Sequence, residues 1–594
     1  MKMKPFAPGG QLTKSCLATL IGMAFAGPVC AVNFNIGEVE GKLDSSLSIG
    51  ASWAAQSPDP DFVSFSSGGE ADSRTSDDGR LNFKKGETFS KIFKGVHDLE
   101  LKYGDSGVFL RGKYWYDFEL KDEHRLFYDI EDHNRKRGAQ SSGFELLDAF
   151  YYQNYNLGDM PGAVRVGKQV VSWGGSTFIG GGINSINPLD ANALRRPGSE
   201  LKEGLLPVNM LYLQQSLSDT VSVEAFYQLE WDQTVVDNCG TFFSSSDPVA
   251  DGCVDRFVIS GPDLPLGESD NSGTPGNNVY LPRYGDRDAR DSGQFGLAAR
   301  WFVPELNDTE FSAYYMNYHS RTPIRSDIIS SAANPLASPG FGAAQAGYFL
   351  EYPEDIRLYG MSFSTSFEGA SVEGEISHRP NMPLGFDDLT YATLRLQPFV
   401  PTPIETSGIP GDEIQGYVRK PFTQAQMTVT QTIDHVLGAS RMVVIGEVGY
   451  SHISGISEGD FGDLRFGRAS VYGPGEYYGP NGEDLCRALL SDRPADCTDD
   501  GFYTRNSWGY RLRSSLTYDG VIGGLDLSPN IAWSHDVDGY GPTFTEGSKA
   551  ISLGLNATYL DNYNASISYT NYFGGEYTAN TDRDFIAVSL GVTF

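Results

Sequence analysis

One stretch of the chain gathers charged and polar side chains without a secondary-structure period. Residues 174–206 begin GGSTFIGGGINSINPLDANALRRPGSELKEG, which opens on glycines and has no hydrophobic repeat of its own. Its charged residues of interest are Arg195, Arg196, Glu200, Lys202 and Glu203. A long irregular loop with mixed charges and amides is suited to narrow a water-filled pore, where it would satisfy its own backbone groups. The alternative is an ordinary external loop.

Ser534-His535-Asp536 has the residue types of a catalytic triad. Adjacent residues on a strand point to opposite faces, so these three would not relay a proton among themselves. We also find no Ser and His pair placed like that of an outer-membrane phospholipase. The sequence therefore predicts no enzyme activity, no catalytic residue, no cofactor and no metal site.

Four of the six cysteines lie in polar stretches rich in Gly, Ser and Asp. Cys239 and Cys253 close one short loop, and Cys486 and Cys497 close another. Disulfides persist in exported proteins, so each pair is predicted to form a disulfide in an external loop. A zinc site made of all four is the alternative, but the close C-x2-C spacing is missing.

Residues 1–31 have the features of a secretory signal peptide. Lysines precede a short apolar run, and Val29-Cys30-Ala31 offers small residues for cleavage after Ala31. The run is too short to span a bilayer, and neither Cys16 nor Cys30 follows a lipoprotein box. We expect an exported chain without a lipid anchor.

The last nine residues, Ile586–Phe594, alternate large apolar side chains with small or polar ones. A period of two predicts a strand that separates lipid from water. A terminal aromatic resembles the assembly signal of bacterial outer-membrane β-barrels, so Phe594 is expected to meet the outer-membrane assembly machinery. The alternative is the last strand of a soluble β-sandwich.

The same alternation recurs along the chain, for instance from Val39 to Trp53, and short turns alternate with long polar stretches. Turns are predicted at 104–107, 156–162, 218–219, 304–307, 368–370, 434–440, 519–522 and 560–562. The longest polar stretches are 232–293, 380–420 and 454–503. The pattern predicts an all-β protein: one antiparallel up-and-down transmembrane barrel over 32–594, with about 18 strands (16–18), short periplasmic turns and long external loops.

Composition excludes several classes of protein. The formal net charge of −31 would repel nucleic-acid phosphates. No apolar run after the leader is long enough for a transmembrane helix. Acids cluster at 70–78 and 286–291; a solvated surface is the simpler interpretation, and divalent-cation bridging to lipopolysaccharide is the alternative.

With the apolar face outward, each strand also predicts its lumen side chains, because an outward Arg or Lys near the midplane costs about 2–4 kcal/mol. The predicted inward charges are Arg111, Lys113, Arg165, Arg300, Glu373, Glu375, Arg511 and Arg513. They either pair across the lumen and stiffen the wall or face a transported solute.

Several segments resemble the bacterial family called domain of unknown function 1302. They are 34–38, GKQVVSWG at 167–174, NPLD at 187–190 with RPG at 196–198, KEG at 202–204, and YPEDI at 352–356. In that family a Glu often follows Trp-Gly, where this chain has Gly175. The resemblance implies an outer-membrane protein that works beside resistance-nodulation-division transporters and periplasmic lipid-binding-like proteins in moving hydrophobic molecules.

Three functions follow as hypotheses. The favoured one is a conduit for lipids, fatty acids or aromatic compounds, embedded in outer-membrane lipid and lipopolysaccharide and linked to such partners. The second is a general or solute-selective porin, favoured by the mixed-charge lumen. The third is a structural or adhesive surface barrel, favoured by the disulfide-closed loops.

Overall fold

The computed structural model describes residues 32–594 except 273, 275, 388–394, 398–405, 458–463, 477–483, 485, 488–490 and 492. Eighteen antiparallel strands form one closed barrel. They are β1 Val39–Ala54, β2 Thr88–Tyr103, β3 Ser106–Asp117, β4 Ser142–Leu157, β5 Met160–Gln169, β6 Val208–Ser216, β7 Val221–Gln228, β8 Phe295–Val303, β9 Thr309–Tyr318, β10 Ile356–Phe367, β11 Ala370–Gly385, β12 Tyr417–Asp434, β13 Arg441–Ile453, β14 Asn506–Ile522, β15 Leu525–Asp538, β16 Lys549–Tyr559, β17 Tyr563–Phe573 and β18 Phe585–Thr593.

The barrel closes where β18 pairs with β1. The register joins Ser46 to Thr593 and Ala54 to Phe585. The chain end extends the seam, because Phe594 N donates to Ser45 O at 2.8 Å and Phe594 O accepts from Ser45 N at 2.6 Å. A short strand, Val32–Ile36, folds back on the start of β1. The predicted fold class is thus confirmed, whereas the predicted signal peptide lies outside the described residues.

Turns at one end of the barrel are short and connections at the other end are long, as predicted. One turn is shifted: β14 continues to Ile522, and the chain reverses at Gly523 and Gly524. Both glycines have positive φ, 58° and 89°, which a tight hairpin of this kind requires. Short turns mark the periplasmic end of such barrels and long loops mark the external end.

The outer surface is apolar and the inner surface is polar. On β15–β18 the outward residues Ile531, Leu553, Ile567 and Leu590 are 42–53% exposed, and the residues between them are mainly Ser, Asn, Thr, Gly and Ala. An apolar exterior on a closed barrel places the strands in a membrane. Within the described part of the chain, no helix is long and apolar enough to cross a bilayer.

The long loops fold onto one another at the external end. They contain two small antiparallel sheets, one joining Val258–Ser260 to Val279–Tyr280 and one joining Ile324–Ile328 to Gly347–Glu351 and Glu413–Ile414. The short helices are α1 Asp78–Asn82, α2 Phe118–Asp122, α3 Ala191–Arg195 and α4 Leu201–Gly204, with 3-10 turns at Pro60–Phe62, Phe65–Ser67, Arg137–Ala139, Pro304–Leu306, Pro335–Ala337, Pro339–Gln345, Ser470–Tyr472 and Pro494–Cys497. Both predicted disulfides, Cys239–Cys253 and Cys486–Cys497, are present in these loops.

The acidic clusters of the loops differ in their exposure. The run 286–291 is largely exposed, as a solvated surface would be. In the other cluster the expectation is wrong for two residues, because Asp77 and Asp78 are each only 1% exposed. Packing between the loops, which local sequence does not encode, buries these two side chains.

Candidate functional site: the lumen and its inner loop

The connection between β5 and β6, residues 170–207, lies inside the barrel and is named the inner loop. Its contacts reach β2 and β3 on one side and β11, β12 and β13 on the other. It also contacts β18, since a Cβ on Gly198 would lie 2.8 Å from Ser589 Oγ. The predicted inward position of residues 174–206 is therefore observed.

Two lumen carboxylates fix the first half of the inner loop. Glu375 on β11 accepts hydrogen bonds from the backbone N–H groups of Gly175 (2.8 Å) and Ile183 (2.9 Å). Glu447 on β13 accepts from the N–H groups of three consecutive residues, 177–179, at 2.5–3.0 Å. Charged acceptors form stronger hydrogen bonds than neutral ones, and here they replace the missing secondary structure of the loop.

Apolar packing holds the same half of the loop against β6–β10. Trp173 is 1% exposed, with its ring centre 5.0 Å from that of Phe226, and its Nε1 donates to Glu224 Oε2 at 2.6 Å. The buried cluster comprises Val171, Trp173, Ile183 and Ile186 with Val208, Met210, Tyr212, Phe226, Ala298, Tyr314, Met316, Tyr318, Ile356 and Leu358. A Cβ on Gly360 would approach Ile183 Cγ1 to 2.8 Å, so close packing requires glycine there.

Ion pairs hold the second half of the loop. Lys113 Nζ lies 3.0 Å from Asp190 Oδ2 and donates to Glu203 O at 3.1 Å. Lys94 Nζ lies 2.5 Å from Glu203 Oε1. These four side chains are each 5% exposed or less, so the loop is anchored on both sides of the lumen.

The other charges predicted for this segment bind within the protein. Arg195 pairs with Asp237 of an external loop, and its guanidinium lies 4.9 Å from the ring centre of Phe243. Arg196 donates to Gly138 O at 2.8 Å. Lys202 Nζ lies 3.1 Å from Glu200 Oε2. These residues fasten the loop and the structure does not place them together as one charged ring.

Most predicted lumen charges are paired. Arg111 contacts Asp98 (2.7 Å) and Asp148 (3.2 Å). The further pairs are Lys113–Glu145 at 3.1 Å, Arg300–Glu224 at 2.7 Å, Arg300–Glu310 at 3.0 Å and Arg511–Asp536 at 2.6 Å. Among the described residues, Arg165 and Arg513 have no carboxylate within ion-pair distance. Pairing therefore stiffens the wall and, among the described residues, leaves two guanidinium groups and the Glu373 carboxylate without an oppositely charged partner.

Glu373 lies beside the residue at which the chain departs from the family pattern. A Cβ on Gly175 would lie 3.2 Å from the Cβ of Glu373. A Glu at position 175 would bring a third carboxylate near Glu373 and Glu375. Any role of that family acid therefore does not carry over to this chain.

The lumen has two contrasting walls. Strands β6–β13, the anchoring wall, carry the apolar cluster, Glu375 and Glu447, and they contact the first half of the inner loop. Strands β14–β17, the polar wall, present mainly small side chains toward the lumen, together with Arg511, Arg513 and Tyr572. Its lumen face consists of Ser507, Gly509, Arg511, Arg513 and Ser515, then Ser528, Asn530, Ala532, Ser534 and Asp536, then Ala550, Ser552, Gly554 and Asn556, then Asn564, Ser566, Ser568, Thr570 and Tyr572.

A third lumen feature lies on β3–β6 and is named the aromatic ladder. The ring centres of Phe109 and Phe150 are 5.5 Å apart. Arg111 lies 5.2 Å from the centre of Phe109, and Arg165 lies 4.2 Å from that of Tyr212. Phe109 and Phe150 are partly exposed, and this arrangement combines ring stacking with positive charge.

The triad-like residues do not assemble. His535 packs against Tyr510 and Trp533 on the outer face, with ring centres at 5.5 and 6.3 Å. Asp536 points into the lumen and pairs with Arg511. The alternation expected for adjacent strand residues separates them.

Comparison with known proteins finds a family and distant structural likenesses. A family model described as protein of unknown function (DUF1302) matches residues 12–594, whereas no curated protein matches. Solved structures similar to this chain include Acinetobacter baumannii OccAB1 (10% identity, 94% of this chain and 97% of that chain covered, TM-score 0.40). They also include Pseudomonas aeruginosa OpdK with vanillate (8%, 93% and 98%, 0.37) and the A. baumannii outer membrane channel DcaP (10%, 95% and 100%, 0.33). Because the family model matches nearly the whole sequence, this chain belongs to the DUF1302 family.

Proposed function

We propose that this protein is a channel of the bacterial outer membrane, in which the inner loop narrows the lumen and solutes pass along the polar wall. The observation that carries the proposal is the contrast between the two walls. One wall is occupied by the inner loop, and the other is lined by small polar side chains. Barrels of this strand number enclose a space wider than their own side chains fill.

The charges of the lumen favour polar or amphipathic anions. Glu375 and Glu447 accept hydrogen bonds from backbone N–H groups, and Asp536 forms an ion pair with Arg511. Arg513 is exposed on the lumen face of β14 and has no acidic partner among the described residues. A cationic group beside a pore attracts anions to it.

Conductance of the purified barrel in a planar bilayer tests this proposal. We expect a steady ohmic current, larger for a variant that lacks residues 175–186. The full-length barrel with point substitutions on the lipid face, such as Leu553→Ala, is the control for insertion. Absence of ionic current through both the native barrel and the deletion variant would contradict the channel proposal and favour a structural or adhesive barrel.

The aromatic ladder favours a second candidate, a conduit for amphipathic compounds such as fatty acids or aromatic acids. Trp115, Trp173 and Phe226 are buried in packing (1–4% exposed), whereas Phe109 and Phe150 are partly exposed on the lumen side of their strands. Handover to a periplasmic lipid-binding-like protein and a resistance-nodulation-division transporter, which the resemblance implies, belongs to this candidate.

Current block by benzoate and by laurate tests the second candidate. We expect the double variant Phe109→Ala/Phe150→Ala to weaken block severalfold, whereas Phe311→Ala on the lipid face should leave it unchanged. Equal block in all three barrels would count against a role of the ladder in solute binding, and the channel proposal would still stand.

A further inference from the structure

Four aspartates meet in a buried cluster between two external loops, outside the lumen. Asp77 and Asp78 belong to the loop that joins β1 to β2, and Asp247 and Asp263 belong to the loop that joins β7 to β8. Oxygen atoms of Asp77, Asp78 and Asp263 all lie within 4.8 Å of one another. Their side chains, and that of Asp247, are each 1% exposed or less. These residues are named the aspartate cluster.

Three oxygens of the cluster lack a hydrogen-bond partner. Asp77 Oδ2 accepts from Ser64 N at 3.0 Å, and Asp247 Oδ2 accepts from Asp77 N at 3.0 Å. Asp77 Oδ1, Asp247 Oδ1 and Asp263 Oδ2 accept no hydrogen bond from any described residue. A buried oxygen without a partner costs free energy unless another group binds it. Two of the three unpaired atoms, those of Asp77 and Asp263, belong to the carboxylates that converge.

The charged groups around the cluster leave an excess of two negative charges. The buried acids that interact here are Asp77, Asp78, Asp247, Asp255, Asp263 and Asp582, and the buried bases are Arg74, Arg80, Arg256 and Arg583. Arg256 Nη1 lies 3.5 Å from Asp78 Oδ2 and 3.8 Å from Asp263 Oδ1. With all of them ionised, six carboxylates face four guanidinium groups among the described residues, so one divalent cation would neutralise the group.

We propose that Asp77, Asp78 and Asp263 bind one Ca²⁺ ion and that Asp247 is a positioning residue for this site. Carboxylate oxygens are the ligands that Ca²⁺ prefers, and Ca²⁺ tolerates several protein ligands in irregular geometry. Mg²⁺ sheds its waters reluctantly, so a dry site favours Ca²⁺. The metal site that the sequence did not predict arises only when the two loops pack together.

Electrostatics and covalent structure support the same site. Burial is the main cause that raises the pKa of each carboxyl in the cluster above its ordinary value, and a bound cation would reverse that effect by stabilising the charged form. Asp247 lies within the segment closed by the Cys239–Cys253 disulfide. Tyr128 donates to Asp78 Oδ2 at 2.7 Å and ties a third loop to the site.

The bound ion would join the two loops at the external end of the barrel. The burial of Asp77 and Asp78 separates this proposal from cation bridging to lipopolysaccharide, which needs exposed acids. The site should therefore bind Ca²⁺ in detergent, with lipopolysaccharide absent.

Calorimetric titration of CaCl₂ into the EDTA-treated, full-length barrel tests the proposal. We expect one site per chain with a dissociation constant of about 1 mM or tighter, as in extracellular calcium modules. Asp77→Asn/Asp263→Asn should weaken binding by at least about tenfold, and Glu70→Gln, an exposed acid of the same loop, should not. Absence of saturable binding, or equal binding by the double variant, would overturn the proposal.

Limited proteolysis in EDTA distinguishes a loss of Ca²⁺ binding from misfolding of the variant. Because each Asn removes a repulsive charge, the double variant should resist cleavage in EDTA at least as well as the native protein. Added Ca²⁺ should slow cleavage of the native loops and leave those of the variant unchanged. Protection of both proteins by Ca²⁺ would place the ion elsewhere and overturn the assignment.

Discussion

The anchoring wall and the polar wall both face a polar lumen, but they do so with different kinds of side chain. The anchoring wall uses large side chains and two carboxylates that bind backbone N–H groups of the inner loop. The polar wall uses small hydroxyl and amide side chains that pair with each other, such as Thr570 Oγ1 with Ser552 Oγ at 3.0 Å. A wall that holds a loop needs specific, bulky partners, whereas a wall that faces water needs only small polar ones.

Removal of both anchoring carboxylates should have the largest effect. In Glu375→Ala/Glu447→Ala, five backbone N–H groups of the inner loop lose charged acceptors, each worth about 1.5–3 kcal/mol. We expect the loop to leave the anchoring wall and the single-channel conductance to rise severalfold with greater noise. Glu310→Gln, a lumen acid that contacts Arg300 rather than the loop, is the control. Unchanged conductance would show that the loop does not limit the pore.

A bulky residue on the polar wall should have the opposite effect on the conductance. Ser534 lies opposite Arg511 in the strand register, and Arg511 lies opposite Glu447 on the next strand, so Ser534 lies at the depth of the inner loop. Ser534→Trp should lower conductance by about half, because it narrows the remaining passage. The outward neighbour Trp533 supplies the control Trp533→Phe. A Trp at 534 without effect would place the passage elsewhere.

Substitution of Arg513 should change the ion selectivity of the channel, with a smaller effect than the two changes above. Arg513→Glu should shift the reversal potential under a salt gradient toward cation preference, since Arg513 has no acidic partner among the described residues. Lys549→Glu changes charge equally on the outer face, where Lys549 pairs in register with His535. It should leave the potential unchanged. Equal shifts in both variants would assign the effect to surface charge.

The fold could be predicted because the alternation that marks a strand is visible within a short stretch of sequence. Alternation from Val39 to Trp53 fixes both the strand and its outward face, and a closed barrel then follows from the number of such segments. The same alternation placed Arg111, Glu375 and Arg511 in the lumen. It would also have placed Lys94 there, whose partner Glu203 lies 109 residues away along the chain. Length and glycine content were enough to identify the inner loop.

The contacts of that loop could not be predicted, because they depend on packing between distant segments. Nothing local tells that Arg195 meets Asp237 in an external loop or that Asp190 receives Lys113. Burial of Asp77 and Asp78 likewise depends on the loop that carries Asp247. Irregular backbone lacks a period, so its side-chain directions follow only from the assembled structure.

The smallest effect on the lumen is expected from the external disulfide. Cys239→Ser/Cys253→Ser opens a 14-residue span, which should reduce the stability of the loop by about 3 kcal/mol. Protease should then cut residues 229–294 faster than in the native protein. Conductance should not change, because the walls of the lumen hold the inner loop from below through Glu375, Glu447 and Lys113. A changed conductance would mean that the external loops, rather than the two walls, set the width of the passage.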